Sequence, residues 1–369
     1  MTGQVSRRER IGIIADDITG CGDAGLHFAD KGAKTLVMLN PVQLRTPLRR
    51  GWEVLVVNTE SRVVPPTVAS YRVKTVLKFF LKQGVKKIYK KIDSTLRGNL
   101  GPEIDAVIET MDIQTLPLCA AFPQMGRVTD RGYHYVHGQP IHKTVFARDP
   151  RNPVRESYLS RLIERSSRYS DRVSVYDART PLDLKRAAHS LANVPVVCGA
   201  AGLAGELSGL WFSPKERRED PDPRGEGPVL VVSGSANPVN REQIKGLIEK
   251  REVRPFPLSA SPKTQKRGDI VIFPEKKIKD PSLIVTEIAN LAQRICLRNK
   301  IKRLILVGGE TAYRILTGLS MGSFWLYGSV LPGIAWGRST AGEYTIILKP
   351  GGFGKRDTLV KCLDFLKVH

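Results

Sequence analysis

Lys91, Asp93, Ser94, Thr95 and Arg97 crowd the stretch Lys-Lys-Ile-Asp-Ser-Thr-Leu-Arg-Gly-Asn at 90–99. A lysine and an arginine suit an anionic ligand, an aspartate suits a hydroxyl proton or a metal, and hydroxyls add hydrogen bonds. A capped turn with a solvated charge cluster would use the same residue types, so this stretch alone leaves both readings open. Other segments carry comparable groups. IGIIADDITGCGDAG (11–25) sets Asp16 and Asp17 directly behind an apolar run. AFPQMGRVTDRGYHYVHGQPIHKTVFARDP (121–150) is dense in polar groups and glycines, and LILVGGETAYRIL (304–316) and LKPGGFGKRDTL (348–359) hold glycine loops.

These groups need elements to position them. Short apolar runs at 11–15, 34–39, 53–57, 85–89, 116–121, 172–176 and 194–198 read as strands. Helical patterns at 68–81, 102–111, 158–164 and 182–191 alternate with them. Such alternation implies parallel sheets covered by helices, and loops behind parallel strands are where such folds bind ligands. Residues 93–98 fall on one of those loops. SPKERREDPDPRGEGP (213–228) breaks the pattern and reads as a linker, after which PVLVV (228–232) restarts it. The expected architecture is α/β with two domains, 1–212 and 229–369, each a mainly parallel sheet flanked by helices, with a ligand cleft between them.

Composition narrows the class. Hydrophobic residues make up 41% and charged residues 25% of the 369, ordinary for a globular chain. No apolar run approaches the roughly 18–20 residues that span a bilayer, and no cleavable leader is recognised, so a cytoplasmic protein without membrane contact is expected. The five cysteines form no CxxC pair and are expected as reduced core thiols. A net charge of +22 fits an acidic ligand or nucleic acid. Because aromatic residues do not interleave the basic clusters, nucleic acid is the minor reading.

In order along the chain, ADDITG, KIDSTLRGN, AFPQMGR with its HYVHG continuation, ARDP, SGSANP, GGET and GGFG span about residue 10 to about residue 360. Together they resemble the four-carbon acid sugar kinase family, which phosphorylates threonate, erythronate and oxo-tetronate acids with ATP. The resemblance implies that the first domain holds the acid sugar and the second the nucleotide. ATP with Mg²⁺ is then the expected cofactor set, and the acid sugar and ATP are the expected partners. Which acid, which hydroxyl and whether the chain forms a homodimer stay open.

On the acid side, one of Asp16 and Asp17 is expected to face the ligand, since adjacent side chains on an extended segment point opposite ways. Either could instead cap the following helix. Arg62 matches the family's Thr/Ser-Arg element and would clamp a carboxylate, or else pair with Glu60. Lys91, Ser94, Arg97 and Arg127, the last in a loop behind the strand at 116–121, complete the anion set, with His134 as a contact. A metal site built on His134, His137 and His142 is disfavoured because their spacing lacks supporting carboxylates. Phosphoryl transfer needs cations, in-line positioning and an aspartate for the hydroxyl proton, for which Asp93 and Asp17 are the candidates.

On the nucleotide side, Ser233, Gly234 and Ser235 follow a strand, and Asn237-Pro238 opens a helix. Backbone amides and hydroxyls there form an anion or adenosine site by geometry. Gly308, Gly309 and Thr311 repeat the arrangement. Glu310 would hold Mg²⁺ or a ribose hydroxyl, or simply stabilise its helix; the metal ligands are unknown. Trp336 reads as packing. Gly351 and Gly352 resemble the family's closing glycine loop, with Pro350 where a serine is common. Two rival readings stand beside the kinase: a ligand-sensing or nucleic-acid-binding protein on the same scaffold, and a dehydrogenase, against which the missing GxGxxG argues.

Overall fold

The computed structural model describes residues 9–45, 51–213, 219–234, 237–256, 258, 268–274 and 281–368. Ser235 and residues 214–218 of the expected linker lie outside them. The chain separates into two compact units, Met1–Glu216 and Arg217–His369.

In unit 1, β1 (Ile11–Ala15) leads into α1 (Ile18–Ala29), β2 (Thr35–Met38) and β3 (Val54–Asn58). Next come α2 (Pro66–Lys82), β4 (Lys87–Lys91), α3 (Leu100–Met111) and β5 (Leu116–Cys119). After β6 (Arg127–Asp130), β7 (Tyr133–Val136) and β8 (Gln139–Pro140), the unit closes with α4 (Leu159–Glu164), β9 (Val173–Val175), α5 (Pro181–Leu191), β10 (Val196–Gly199) and α6 (Ala201–Trp211). Its main sheet runs β2-β3-β1-β4-β10-β5-β9, parallel throughout. Ile11, Ile13, Ile14 and Val54–Val57 are fully buried, as expected of strands covered on both faces. The chain reaches β3 on one side of β1 and then crosses to β4 on the other, so the strand order reverses at β1. Ligands of open α/β sheets bind at such a reversal.

The segment from 127 to 140 departs from expectation. It forms a separate antiparallel sheet, β6-β7-β8, and Arg127 opens a strand instead of lying in a loop. Its turns explain why alternation alone did not reveal it. Arg131 (φ 51°) and Gly132 (φ 78°) join β6 to β7, and His137 (φ 48°) and Gly138 (φ 78°) join β7 to β8. Positive φ at both central residues is the tight hairpin geometry, here without the usual Asn-Gly signature.

In unit 2, β11 (Val229–Ser233), α7 (Pro238–Lys250), β12 (Val253–Pro255), β13 (Asp269–Ile272) and α8 (Pro281–Asn299) come first. They are followed by β14 (Arg303–Val307), α9 (Gly309–Gly318), β15 (Ser323–Leu331), β16 (Ile334–Ser339), β17 (Thr345–Lys349) and α10 (Thr358–Phe365). The strand order is β12-β13-β11-β14-β17-β16-β15. The first five strands are parallel, and β16 and β15 pair antiparallel. Trp336 lies in the core, its ring stacked on Tyr327 at 5.0 Å between centroids and edge-on to Phe365 at 5.6 Å. It packs, as the sequence reading holds.

All five cysteines are buried and free of disulfides. Among the described residues no helix is long and apolar enough to cross a membrane.

Candidate functional site

Parallel register brings Ala15, Asn58 and Lys91 abreast at the carboxyl edge of the unit 1 sheet. The residues behind them therefore leave the sheet side by side. Arg62 Nε and Nη2 donate to the two Asp16 oxygens at 2.6 and 2.9 Å, and Nη1 donates to Asp17 Oδ2 at 2.7 Å. Both aspartates thus meet one guanidinium, where one alone was expected to face a ligand. The planar fork explains this, because it presents donors along more than one edge. Asp17 also caps α1, its Oδ1 accepting from the Gly20 N–H at 2.7 Å. Burial would raise the Asp16 carboxyl, but Arg62 outweighs it and holds Asp16 below its ordinary value. Glu60 does not take Arg62; it accepts from Asn58 Nδ2 at 3.0 Å.

Gly98 closes over this pair with φ +100°, where a Cβ would stand 3.2 Å from Arg62 Cγ and 3.5 Å from Asp16 Oδ2. Gly98→Ala is expected to cost about 1–3 kcal/mol through that left-handed backbone. An unchanged urea midpoint would refute the constraint.

The loop behind β4 supplies the second ion pair. Arg97 Nε donates to Asp93 Oδ2 at 2.6 Å, Thr95 Oγ1 donates to the same oxygen at 2.5 Å, and Arg97 Nη1 reaches Asp149 Oδ2 at 3.4 Å. Burial opposes ionisation of Asp93, yet Arg97, Arg62 and these hydrogen bonds hold it well below the carboxylate range. Nη2 of Arg97 takes no partner among the described residues, and the side chain remains 27% exposed. Beneath it, Lys90 is buried on Glu103 at 2.8 Å; Glu103 accepts from Ser61, which shares a 2.7 Å hydrogen bond with Thr59, and Thr59 donates to the Ala15 carbonyl at 2.8 Å.

Lys91 Nζ donates to the Ile92 carbonyl at 2.9 Å and stands 3.8 Å from Asp23 Oδ2. Asp23 escaped the sequence reading. It sits within α1, where all residues but His27 are buried and glycine and alanine predominate. A carboxylate inside so apolar and small-residue a helix is the signal that could have found it. Its Oδ1 is buried without a hydrogen-bond partner. Burial pushes its carboxyl up to about 6, Asp17 and Asp93 push the same way, and Lys91 and Arg127 oppose them.

Arg127 is buried near these groups, and its Nη1 donates to the Met125 carbonyl. His134 has both ring nitrogens occupied. It is fully buried with Nδ1 on Thr129 Oγ1 at 3.1 Å and Nε2 on the Ser94 carbonyl at 2.8 Å. Burial lowers its ring to about 4, so it is neutral at pH 7 and fastens the Ser94 backbone to β6 and β7. The Ser94 side chain is half-buried on the loop. Asp149, in the ARDP segment, was not singled out as a partner of Arg97.

In unit 2, register sets Ser233, Val307 and Lys349 abreast. The loops behind them carry Gly234, Gly308 with Gly309, and Gly351 with Gly352. Gly308 adopts φ 96° directly before α9, a conformation that favours glycine and leaves helix amides accessible. Thr311 is buried, while Glu310 pairs with Arg314 one turn on at 3.2 Å. Ser235 lies outside the described residues. Lys349 was missed because an apolar strand conceals its one cation. Fully buried, its Nζ donates to Asn240 Oδ1 at 2.9 Å and the Pro350 carbonyl at 3.0 Å. Ser233 Oγ, Asn240 Nδ2 and Gln243 Oε1 are buried without hydrogen-bond partners among the described residues. Among the described residues, these three polar atoms and the buried ammonium at the end of a parallel sheet form a polar nest that holds no carboxylate partner for Lys349.

Comparison with known proteins assigns these two halves. Residues 11–170 match a family model described as a sugar-binding N-terminal domain, and residues 261–359 match one described as a nucleotide-binding C-terminal domain. The chain is thus of a two-domain class that joins a sugar-binding unit to a nucleotide-binding unit. D-threonate kinase of Bordetella bronchiseptica is 28% identical, over 97% of this chain and 97% of that protein. D-erythronate kinase of Heliobacterium modesticaldum is 34% identical over 64% of this chain and 59% of that protein. A solved Salmonella typhimurium structure titled a putative tRNA synthase has a TM-score of 0.80, covering 96% of this chain and 98% of that one. Its 21% identity carries the fold alone. The chain belongs to the four-carbon acid sugar kinase family.

Proposed function

We propose that the protein transfers the γ-phosphoryl group of ATP to a hydroxyl of a four-carbon sugar acid of the threonate, erythronate or 3-oxo-tetronate type. Residues 1–212 hold the acid, residues 229–369 hold the nucleotide, and 213–228 connect them. The observation that carries this reading is Arg97. Asp93 and Asp149 fix its orientation, yet Nη2 keeps its donors at a partly exposed position on the edge where Lys91 also ends. A guanidinium held by its inner edge and open at its outer one is suited to grip a substrate carboxylate. Lys91 adds a point charge, Arg127 a further cation, and Ser94 a hydroxyl for the polyol. Asp16 and Asp17 keep Arg62 in place, and Arg62 contributes its remaining N–H groups to the acid.

In unit 2 the amides around Gly308, Gly309, Thr311, Gly351 and Gly352 receive phosphate oxygens, with Ser233 on the neighbouring strand end. Lys349, released from its Asn240 contact, supplies the cation. Magnesium enters on the nucleotide phosphates, because this ion keeps several waters and takes few carboxylates. Glu310, in the first turn of α9, is the carboxylate that would reach such an ion.

A coupled assay of ADP release over erythronates, threonates and their oxo forms tests the reading; silence with every acid overturns it. Arg97→Ala is expected to weaken acid binding and lower kcat/KM by about a hundredfold or more, the scale of a lost charge-assisted bidentate contact of about 3 kcal/mol. ATP binding, followed by calorimetry, should stay unchanged. Wild-type turnover in this variant would remove Arg97 from the site.

A further inference from the structure

Four carboxylates gather at the carboxyl edge of β1 and β4, and their environments divide them sharply. Asp16 is bound on both oxygens by Arg62. Asp17 spends Oδ1 on the Gly20 amide and Oδ2 on Arg62 and Thr19. Asp93 Oδ2 receives Arg97 and Thr95 together. Carboxylates held this firmly are weak proton acceptors, since accepting a proton would break charge-assisted bonds. This argues against the two acceptors that spacing suggests, Asp93 and Asp17.

Asp23 differs. It is 8% exposed, and among the described residues its Oδ1 has no hydrogen-bond partner and its Oδ2 has only the loose contact with Lys91 at 3.8 Å. A buried carboxylate oxygen left unsatisfied costs stability, which points to a role that needs the oxygen free. Lys91, the same cation expected on the acid, stands beside it.

We infer that Asp23 is the general base of the kinase reaction, taking the proton of the acceptor hydroxyl on Oδ1 directly or through one bridging water. This rests on the acid sugar kinase reading above. In the step, the substrate O–H bond breaks and its proton passes to Asp23. The oxygen's electron pair forms a bond to the γ-phosphorus of ATP. The bond from that phosphorus to the β–γ bridging oxygen breaks, and its pair leaves with ADP. Lys91 then faces a neutral Asp23 and is free to balance the phosphorylated acid.

The charged groups facing Asp23 are Lys91 from β4, Asp17 from the start of α1, Asp93 from the loop behind β4 and Arg127 from β6. Under their combined influence and burial, the carboxyl titrates near about 6 against an ordinary 3.8. It is therefore ionised at pH 7 yet close enough to neutrality to accept a proton, the range in which general bases work best. The raised value also means that the folded protein binds more protons than the unfolded chain between 3.8 and about 6. Stability from this group is present at low pH and is lost as pH rises through that window.

Asp23→Asn is the test, measured beside the wild type. The expected result is a kcat lower by about 10²–10⁴-fold with KM for the acid within about threefold, the range for removing a positioned base. The wild-type rate should rise with pH through an acid limb near about 6, and the variant should lack that limb. Its unfolding midpoint at pH 7 should equal or exceed the wild type, because burial of the ionised carboxyl outweighs its attraction to Lys91 and Arg127. Asp23→Glu should recover part of kcat. A kcat within threefold of wild type, an acid limb that survives the substitution, or a lowered midpoint with KM and kcat falling together would each overturn the assignment. The last is the signature of a structural partner for Lys91. Isotope-edited infrared titration of the carboxyl in the ligand-free protein is independent of substrate; an Asp23 titrating at its ordinary value overturns the base without touching the kinase reading. Absence of ADP release by the wild type with every acid overturns that reading and the base assignment with it.

Discussion

Arg62→Ala lowers the unfolding free energy of the sugar-binding unit by about 3–5 kcal/mol at pH 7, the cost of removing one partner from a buried charge pair. The substitution strands Asp16, 3% exposed, and Asp17, 6% exposed, with no guanidinium within reach. The deficit depends on pH in a set direction. Arg62 holds Asp16 below its ordinary 3.8, so the wild type gains stability from this carboxylate above that value and loses it as pH falls further. Without Arg62, burial acts on Asp16 against only the smaller pull of Lys90 and Lys91, and the variant gains by protonating it. The gap between the two proteins should therefore narrow from pH 7 toward pH 4 in urea unfolding. A gap that is small, or that does not change with pH, would show that the aspartates find other partners.

Lys349→Met is expected to weaken ATP binding by about tenfold to a hundredfold, the value of one charge-assisted hydrogen bond of about 1.5–3 kcal/mol. Burial pushes the Lys349 ammonium down to about 8 from an ordinary 10.5. Keeping it charged at pH 7 thus costs on the order of 3 kcal/mol. Between about 8 and 10.5 the folded protein binds fewer protons here than the unfolded chain, so wild-type stability from this group rises with pH across that window. The methionine variant should lack that rise. A triphosphate placed against the ammonium restores its affinity for the proton, so ATP binding near pH 8.5 should take up protons. Calorimetry in buffers of different ionisation enthalpy reads this directly. Binding without proton uptake, at wild-type affinity in the variant, would remove Lys349 from the nucleotide.

The strands were legible because a parallel sheet covered on both faces needs continuous apolar runs, and Ile11–Ala15 and Val229–Ser233 supply them. β4 was harder. Its last residues, Lys90 and Lys91, are charged yet buried, so the strand lies over Lys87–Lys91 and not over 85–89. The loop at 93–98 and its Arg97–Asp93 pair follow from short-range spacing, which a sequence displays. Partnerships across long separations do not show in spacing. Asp149 with Arg97, Arg62 with two aspartates, and Lys349 with Asn240 arise only when register sets distant loops side by side. The same holds for His134, whose ring-nitrogen partners, Thr129 and the Ser94 carbonyl, are brought to it only by the fold.

The chain of contacts from Lys90 through Glu103, Ser61 and Thr59 to the Ala15 carbonyl ties three successive loops into one buried lattice. No one of those loops can drift without stranding a charge in the interior. Divergence toward a new acid must then proceed from outside the lattice. The β6–β8 hairpins are the accessible route, since they reach the loop behind β4 through the His134 link to Ser94 and can change length at their tips without disturbing the tethered floor. Substrate range in such a kinase would be retuned by its hairpins and conserved by its ion pairs.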